Sequence, residues 1–259
     1  MNIEHLYGNL YEAKFDCGDN YIRQVIYFIL EGSKALLIDT GYEKEAVKLK
    51  TYFDGKGIDI EKIIITHYHE DHFAGIKTFR KTGKDFVIIG SSHFKESLEL
   101  YYKEDFLEDT EIYPNILSDN YEFTFGGHKI RFEEAKGHSD CGIHIILDEK
   151  YIHVADDLLF DSNNMSLLPL PCTSIIEHLE TLRQLKNHIG KAFIGSHFST
   201  EINDQKDLLT EIDARILYMQ KMLEKQGKAE YDSIKDLLPV TFDPRWHKNM
   251  IMYYKEQMA

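Results

Sequence analysis

The chain has few cysteines and no long apolar run, and each of these absences excludes a class of protein. Its 259 residues include three cysteines, Cys17, Cys141 and Cys172, with no C-x-x-C spacing. Such a sparse and odd count argues against a disulfide framework and predicts cysteines packed in the core of a protein of the reducing cytoplasm. The apolar stretches, such as residues 25–30, are long enough for strands and too short to span a bilayer.

Basic residues are also scarce, because 44 acidic side chains stand against 30 basic ones and the net charge is -14. No Lys/Arg-rich run offsets this charge, and such a surface repels phosphate backbones, so we expect no nucleic-acid partner. Residues 1–5 lack the basic region and following apolar stretch of a signal peptide. We therefore expect a cytoplasmic protein with a small-molecule substrate and no membrane partner.

Short β-rich runs alternate with helical patterns in the first half of the chain. Residues 21–30 and 34–38 are separated by a turn and predict a hairpin. The run Ile63-Ile64-Ile65 predicts a strand buried on both faces, and helical patterns at 43–53 and 73–81 flank it. This order of strands and helices indicates a layered α/β body.

Two further segments come after these strands and helices in the sequence. Residues 91–120 are rich in acidic and aromatic side chains and predict a helix with an irregular loop lying over the sheet. Ser174 begins a capping-box sequence and predicts a helix to about residue 188. Four short strands separated by turns are expected between these two segments, at residues 121–125, 129–134, 142–147 and 151–155.

The pattern becomes purely helical after residue 203. Apolar side chains from Leu208 to Leu223 recur at helical spacing, and Asp243-Pro244 has the form of an N-cap followed by an N1 proline. We expect an α/β body over residues 1–203 and a helical C-terminal segment, residues 204–259, packed on it.

The densest cluster of metal-ligand types is Thr66-His67-Tyr68-His69-Glu70-Asp71-His72, directly after the isoleucine strand. Histidine nitrogens and carboxylate oxygens are standard ligands for Zn²⁺ and related ions. His67 and His69 point the same way in an extended loop, since side chains alternate, and Asp71 continues that alternation. His72 opens a helix and can aim elsewhere. One short loop can therefore serve two metal ions.

This run resembles the H-x-H-x-D-H signature of the metallo-β-lactamase superfamily, and further markers follow in the family's order. Gly137-His138-Ser139 resembles its G-H-[ST] step, residues 154–160 resemble its strand ending in G-D-x-L-F, and Gly195-Ser196-His197 resembles its last histidine. Asp39-Thr40-Gly41 resembles its early D-x-G turn. The resemblance implies an α+β fold, a four-layer αββα sandwich whose cleft lies at one edge, where the loops of two sheets meet.

The resemblance also implies two divalent metal ions, Zn²⁺ or alternatively Fe or Mn²⁺. The implied ligands are His67, His69 and His138 for one ion and Asp71, His72 and His197 for the other, with Asp157 bridging both. We prefer Asp157 to Asp156 because it directly precedes Leu158-Leu159-Phe160. Asp156 then stands where the family has a glycine and becomes an outer acid. Asp39 is a candidate acceptor for the free N–H of a metal-bound histidine.

The same resemblance implies a hydrolase. Two cations about 3.5–4 Å apart lower the pKa of a shared water, and the hydroxide then attacks a carbonyl. Asp71 would orient the nucleophile and pass a proton to the leaving group. The helical segment after an αββα body is similar to the glyoxalase II-like and thioesterase-like branch, so we expect a small ester, thioester or lactone substrate.

Other functions stay open at this point, because one fold serves many chemistries. A bridging aspartate argues against lactamases of the cysteine-ligand type. The alternatives are an oxidoreductase resembling the mononuclear iron persulfide dioxygenases and a non-catalytic small-molecule sensor. The oligomeric state is open as well, a homodimer included.

Most remaining histidines and aromatics are expected to be structural. His144 and His153 lie within predicted strands and should pack, whereas His93 is either a substrate contact at the cleft mouth or a surface residue. Tyr101, Tyr102, Phe106 and Tyr113 form either a lid or a packed insertion. No motif includes His5, His128, His178, His188 or His247.

Overall fold

Seven strands from the first half of the chain form one sheet. The computed structural model of the protein describes residues 1–16, 22–81, 83, 85–102, 112–202 and 205–258. The first four strands pair antiparallel in chain order, and the fourth to seventh pair in parallel. These strands are β1 (Asn2–Tyr7), β2 (Leu10–Lys14), β3 (Val25–Glu31), β4 (Lys34–Ile38), β5 (Asp59–Ile64), β6 (Val87–Gly90) and β7 (Ile116–Leu117).

Four helices connect the strands of this first sheet. They are α1 (Glu43–Lys56), α2 (Glu70–Phe73), α3 (Ile76–Arg80) and α4 (Phe94–Tyr102). Their apolar faces pack on one side of the sheet, with Leu49, Phe53 and Phe94 in a common buried cluster with strand residues. The predicted helix at 73–81 is divided in the structure, because α2 ends at Phe73 and α3 begins at Ile76.

A second sheet of six strands faces the first. Its order is β14-β13-β11-β10-β9-β8, and only the β11–β13 pair is parallel. The strands are β8 (Glu122–Phe125), β9 (His128–Glu134), β10 (Ile143–Leu147), β11 (Tyr151–His153), β13 (Ala192–Gly195) and β14 (Phe198–Ile202). The helices on its outer side are α5 (Ile175–Leu185), α6 (Gln205–Glu224), α7 (Tyr231–Ile234) and α8 (His247–Met258).

Three apolar cores hold four layers together. One core lies between the first sheet and helices α1 to α4, one between the two sheets, and one between the second sheet and helices α5, α6 and α8. The isoleucine run lies at the end of β5. Its side chains alternate, so that Ile63 and Ile65 face the helices whereas Ile64 faces the second sheet. The expected αββα sandwich is therefore confirmed.

Local capping follows the sequence in two places. The Ser174 side chain accepts a hydrogen bond from the backbone N–H of Glu177 at 3.1 Å, as the capping box predicts. The Asp243 carboxylate accepts from the backbone N–H of Arg245 at 2.9 Å, but it caps a 3₁₀ turn over Pro244–Trp246, and α8 begins only at His247.

The C-terminal helices pack on the second sheet and on α5. Leu208, Ile212, Met219 and Met250 share a core with strand residues such as Ile152. A small parallel sheet adds to this packing, since β12 (Ser166–Leu167) pairs with β15 (Phe242–Asp243). The boundary between residues 203 and 204 stays a prediction, because both residues fall outside the described ranges.

Some expectations fall on residues that the structure does not describe. Cys17 is one, and within the segment 91–120 the residues 103–111, with Phe106, are others. In the described part of that segment, α4 and β7 flank the gap. No helix in the described ranges has the length and apolar character needed to cross a membrane.

Arg215 on α6 is fully buried and joins this helix to the loop after β11. Its guanidinium donates to the carbonyl of Leu159 at 2.8 Å and to the carboxylate of Glu211 at 2.5 Å. Glu211 also accepts from the hydroxyl of Ser166 at 2.7 Å. One buried cation thereby ties the C-terminal segment to the loop that leads from β11 to β12.

We predict that Arg215→Met lowers the free energy of unfolding by about 3 kcal/mol, because it leaves the Glu211 carboxylate without its buried partner. Urea denaturation followed by circular dichroism measures the change. Arg183→Met on α5 is the control, since Arg183 is half-exposed beside Glu180 and should change stability by less than about 0.5 kcal/mol. Equal effects of the two substitutions would contradict the role given to Arg215.

Candidate metal centre

The loop that carries the histidine motif is fixed to the ends of two neighbouring strands. The backbone N–H of Asp39, after β4, donates to the carbonyl of Ile64 at 2.8 Å, and the Asp39 carboxylate accepts from the N–H of Thr66 at 2.8 Å. Asp39 adopts a φ of +61°, a conformation that aspartate tolerates better than most residues. The start of the motif is therefore held by its neighbour strand.

The other motif residues follow strand ends at the same edge of the second sheet. His138 follows β9, Asp156 follows β11 and His197 follows β13. These three strands run in one direction, because β9 and β11 are both antiparallel to β10 and β11 is parallel to β13. Their carboxyl ends meet the loops of the first sheet there.

Among the residues that the structure describes, seven side chains of ligand type converge at this edge in two groups. Within each group the candidate ligand atoms lie no more than 4.8 Å apart. The first group is His67, His69, His138 and Asp156, and the second is Asp71, His72 and His197.

In the first group three ring nitrogens face one another. The Nδ1 atom of His69 lies 2.9 Å from Nε2 of His67 and 3.0 Å from Nε2 of His138. A single ring N–H can satisfy only one of these contacts, so lone pairs converge on a common point. The Oδ2 atom of Asp156 completes the group at 3.4 Å from Nε2 of His138.

In the second group two carboxylates surround two histidines. Asp71 lies 3.2 Å from Nε2 of His197 and 3.6 Å from Nε2 of His72. Asp156 also reaches this group, with Oδ1 3.3 Å from Nε2 of His197 and Oδ2 3.4 Å from Nε2 of His72. The Asp156 carboxylate therefore stands between the two groups.

Backbone carbonyls fix the tautomers of His138 and His197. The Nδ1 atom of His138 lies 2.8 Å from the carbonyl of Leu170, and that of His197 lies 2.9 Å from the carbonyl of Arg23. A carbonyl only accepts, so each Nδ1 must carry the hydrogen and each Nε2 is the nitrogen that faces the cluster.

His67 and His72 are oriented in the same way by side chains. The Nδ1 atom of His72 donates to Oδ2 of Asp39 at 2.7 Å. The Thr66 hydroxyl donates to that same carboxylate oxygen at 2.9 Å and lies 3.0 Å from Nδ1 of His67, from which it can accept. Asp39 therefore takes the place expected for an acceptor behind a ligand histidine.

Burial and charge set the protonation states of the cluster. Burial lowers the pKa of His69 to about 3 and that of His67 well below its usual value, which keeps both rings neutral. Burial opposes ionisation of Asp71, but His72 and His197 lower its pKa to about 2. Burial is likewise outweighed at His197, whose pKa Asp156 and Asp71 raise to about 10. The two carboxylates thus attract positive charge into the site.

The donor set fits a divalent cation. The Nε2 atom of His72 and Oδ1 of Asp156 are buried and make no hydrogen bond. Buried polar atoms without partners are costly, and a cation between the imidazoles and carboxylates would satisfy them. Nitrogen and carboxylate ligands without sulfur suit Zn²⁺, Mn²⁺ and Fe.

The structure corrects the preference for Asp157. The Asp157 carboxylate turns away from the cluster and lies 2.5 Å from Nε2 of His144 and 3.0 Å from Nε2 of His178. These two histidines hold it in a buried network behind the site, and their contacts lower its pKa despite burial. Asp156 stands instead between the two groups, so it and not Asp157 is the aspartate that the structure brings together with the ligand-type histidines.

The backbone at Ala155 explains why Asp156, and not Asp157, lies with the ligand-type histidines. Its φ is +45°, a left-handed conformation that glycine adopts most easily. Ala155 therefore stands at the turn where the G-D step has its glycine, and the aspartate of that step is the next residue, Asp156. The sequence signal was the alanine, the small residue directly before an aspartate at a strand end.

A glycine allows His138 to sit close to helix α5. Gly137 has a φ of +112°, and a Cβ atom there would lie 2.1 Å from the backbone nitrogen of His178. Its carbonyl accepts from the backbone N–H groups of Thr173 and Ser174, both at 3.1 Å. The G-H step of the motif therefore reflects a close approach between the loop after β9 and the start of α5.

Other candidate residues have different places. His93 lies on the surface 3.8 Å from Glu96, outside both ligand groups. Cys141 is buried beside Ser139, as expected for packing. Tyr101 stacks on Tyr68 at 4.8 Å. His144 and His178 were not assigned a functional role from sequence, and no pattern near them marks their contact with Asp157.

The family model of the metallo-beta-lactamase superfamily matches residues 22–187 of this chain. The chain belongs to the metallo-beta-lactamase superfamily. The membership expected from the sequence motifs is thereby confirmed. The described His/Asp cluster lies where these motifs of the chain converge.

Three curated proteins are similar to this superfamily member at low identity. A beta-lactamase-like protein 2 homolog of Drosophila melanogaster is 25% identical over 51% of this chain and 46% of its own length. An atrochrysone carboxyl ACP thioesterase of Cryptosporiopsis sp. is 24% identical over 71% of this chain and 51% of its own. A hydroxyacylglutathione hydrolase of Prochlorococcus marinus is 24% identical over 74% of this chain and 76% of its own.

The chain thus spans about half the length of the first two of these relatives. The names of the thioesterase and of the hydroxyacylglutathione hydrolase agree with the enzyme class expected from the sequence, a metal-dependent hydrolase.

Solved structures of superfamily members share the fold. A metallo-beta-lactamase family protein from Thermus thermophilus has a TM-score of 0.67 at 18% identity, over 96% of this chain and 93% of that one. A metallo-beta-lactamase from Pontibacter korlensis has a TM-score of 0.66 at 14% identity, over 85% and 98%. At these identities the likeness concerns the fold alone.

The two neighbouring aspartates should respond differently to removal of charge. We predict that Asp156→Asn lowers the metal content while the metal-free protein keeps its stability. Asp157→Asn should instead lower the free energy of unfolding by about 3 kcal/mol, because His144 and His178 lose a buried carboxylate. Elemental mass spectrometry and urea denaturation of both variants measure the two effects. The reverse assignment of metal loss and destabilisation would restore Asp157 as the bridging residue.

Asp39 offers a test of the contacts behind the histidines. Asp39→Asn keeps an acceptor for the N–H of Thr66 and suits the positive φ, but the amide nitrogen that replaces Oδ2 cannot accept from Nδ1 of His72. We expect metal affinity to fall about 10- to 100-fold, measured by competition with a chromogenic chelator. Asp119→Asn is the matched control, because Asp119 bonds Ser92 on the surface. Unchanged affinity in the Asp39 variant would contradict the contact's role.

Proposed function

We propose that this protein is a metal-dependent hydrolase with a dinuclear site. His67, His69 and His138 would hold one divalent ion and Asp71, His72 and His197 the other, with Asp156 bridging them. The observation that carries the proposal is the position of the Asp156 carboxylate, whose two oxygens face ring nitrogens of both groups at 3.3 to 3.4 Å. Zinc is the ion we favour, with Fe or Mn²⁺ as the alternatives that the same donors accept.

Bound divalent ions would supply water activated for attack at neutral pH and would polarise the substrate carbonyl. The chain's own residues then orient the reaction. Asp71 lines the cleft with its side chain 19% exposed, so its carboxylate can accept a hydrogen bond from the attacking water. It would pass that proton to the departing oxygen or sulfur. A carbon–oxygen bond forms, the ester or thioester bond breaks, and an acid and an alcohol or thiol leave.

The cleft supports a small ester, thioester or lactone as substrate. Its volume is about 310 Å³, and five of the residues that line it are ligand-type side chains, His69, Asp71, His138, Asp156 and His197. This is at the low end of the range for small-molecule sites. Relatives named as a thioesterase and as a hydroxyacylglutathione hydrolase, each 24% identical, add support for acyl transfer to water.

The cellular setting that we propose is the cytoplasm. Cys141 and Cys172 are both free thiols, which suits a reducing compartment. We further propose that residues 1–203 form the metal-binding body and residues 204–259 a segment that completes the cleft.

Metal content and hydrolysis together test the proposal. Elemental mass spectrometry of the purified protein should give close to two metal ions per chain. His69→Ala should lose metal and lower the rate of ester or thioester hydrolysis by more than about 100-fold. Substitution of residues that only contact a ligand already lowers metal affinity or activity about 10- to 100-fold.

His93→Ala is the matched control, because His93 is a surface histidine outside both ligand groups, and it should keep both metal and activity. A single iron with oxygen consumption on persulfides would overturn the dinuclear hydrolase in favour of an oxidoreductase. No metal after incubation with zinc or manganese would leave a non-catalytic protein.

A further inference from the structure

Half of the described residues that line the cleft are apolar, aromatic or cysteine, and the proposed chemistry does not use them. They are Ile22, Tyr42, Leu159, Leu170 and Trp246, together with Cys172. These residues come from five separate segments, and Trp246 comes from the 3₁₀ turn just before α8. We call these residues the apolar wall. Apolar lining beside reactive groups contacts the part of a substrate that does not react.

Charge is distributed unevenly around this wall. Among the described residues that line the cleft there is no lysine or arginine, whereas Asp71 and Asp156 are both present. Arg23 follows the cleft residue Ile22 in sequence, but its guanidinium donates to the carbonyl of Ser162 at 3.3 Å. A carboxylate or phosphate at the far end of the substrate would find no cationic side chain among these lining residues and would lose its hydration against apolar side chains.

The C-terminal segment fixes this wall from two sides. Strand β15 pairs with β12, so Phe242 lies beside Ser166 in the same small sheet and the capped turn with Trp246 follows directly. On the other side, the Gln257 side chain donates to the carbonyl of Pro171 at 2.7 Å and accepts from the N–H of Ile175 at 2.7 Å. These contacts tie the segments that carry Trp246 and Leu170 to the rest of the fold.

We propose, building on the function above, that the enzyme is specific for esters or thioesters whose acyl group is uncharged and apolar. The acyl chain would lie against Trp246, Leu159 and Leu170, with its carbonyl carbon toward the metal ligands. A volume of about 310 Å³ corresponds to about ten water-sized groups, which fits a short acyl chain. Trp246 is a residue that determines specificity.

A matched pair of substrates tests the charge preference. The zinc-loaded protein is assayed with p-nitrophenyl hexanoate and with the p-nitrophenyl monoester of adipic acid, which has the same acyl length but ends in a carboxylate. We expect kcat/KM to be at least about tenfold higher for hexanoate, given the burial of terminal apolar carbons and the missing cation. Equal rates, or a faster adipate ester, would overturn the inference.

Variants of the wall test the assignment of residues. Trp246→Ala should lower kcat/KM for hexanoate by about tenfold relative to acetate, because the shorter acyl group does not reach the lost surface. Leu170→Ser is a second, smaller change expected to act in the same direction. Leu237→Ala is the control, since Leu237 is an exposed residue of the same segment. An unchanged hexanoate-to-acetate ratio in both wall variants would contradict the assignment.

Binding can be followed without turnover, because Trp246 is the only tryptophan of the chain. Its fluorescence should be quenched at lower concentrations by N-(4-nitrophenyl)hexanamide than by N-(4-nitrophenyl)adipamic acid, the amide of the same acyl length that ends in a carboxylate. This readout separates two failures. Preferential binding of the neutral anilide without ester hydrolysis would refute the hydrolase but keep the ligand class. Hydrolysis without preference for the neutral acyl group would refute the specificity and keep the hydrolase.

Discussion

The central constraint on this structure is the burial of two carboxylates among five imidazoles at one edge of a sandwich. Asp71 and Asp156 attract positive charge, and burial makes that attraction strong because little water screens it. Backbone carbonyls and the Asp39 carboxylate orient His138, His197 and His72 so that their Nε2 atoms face the same volume. Much of the surrounding backbone, including the positive φ at Asp39 and the glycine at 137, serves this convergence.

The sequence was sufficient for the fold and for most of the candidate site. The strands that precede the candidate site residues are recognisable in the sequence as short β-branched runs. The isoleucine run before His67 is buried on both faces, as predicted. Strand β1 was missed because its side chains are mostly exposed or half-exposed, so it has no alternation of apolar and polar residues to detect. Its position comes from backbone pairing with β2.

The two aspartates themselves do not decide the choice between Asp156 and Asp157, and the signal in the sequence is the small residue before Asp156, Ala155. Both aspartates are buried and both contact histidines, and the difference depends on one backbone dihedral, the φ of +45° at Ala155. The partners of Asp157 were equally hidden, since His144 and His178 lie 13 and 21 residues from it in sequence and meet it only after the second sheet and α5 pack. Tertiary contacts of this kind leave no local pattern.

The pairing of β12 with β15 also has a consequence for how such a protein can diversify. All seven ligand-type side chains precede Phe198, whereas Trp246 and the strand that positions it lie in the last part of the sequence. Substitutions after α6 can therefore change the side of the cleft that Trp246 lines while the ligand-type atoms keep their positions. Leu159 and Leu170 of the same wall lie between ligand-type residues in the sequence, so Trp246 is the wall position at which variation is separated from the ligand-type side chains.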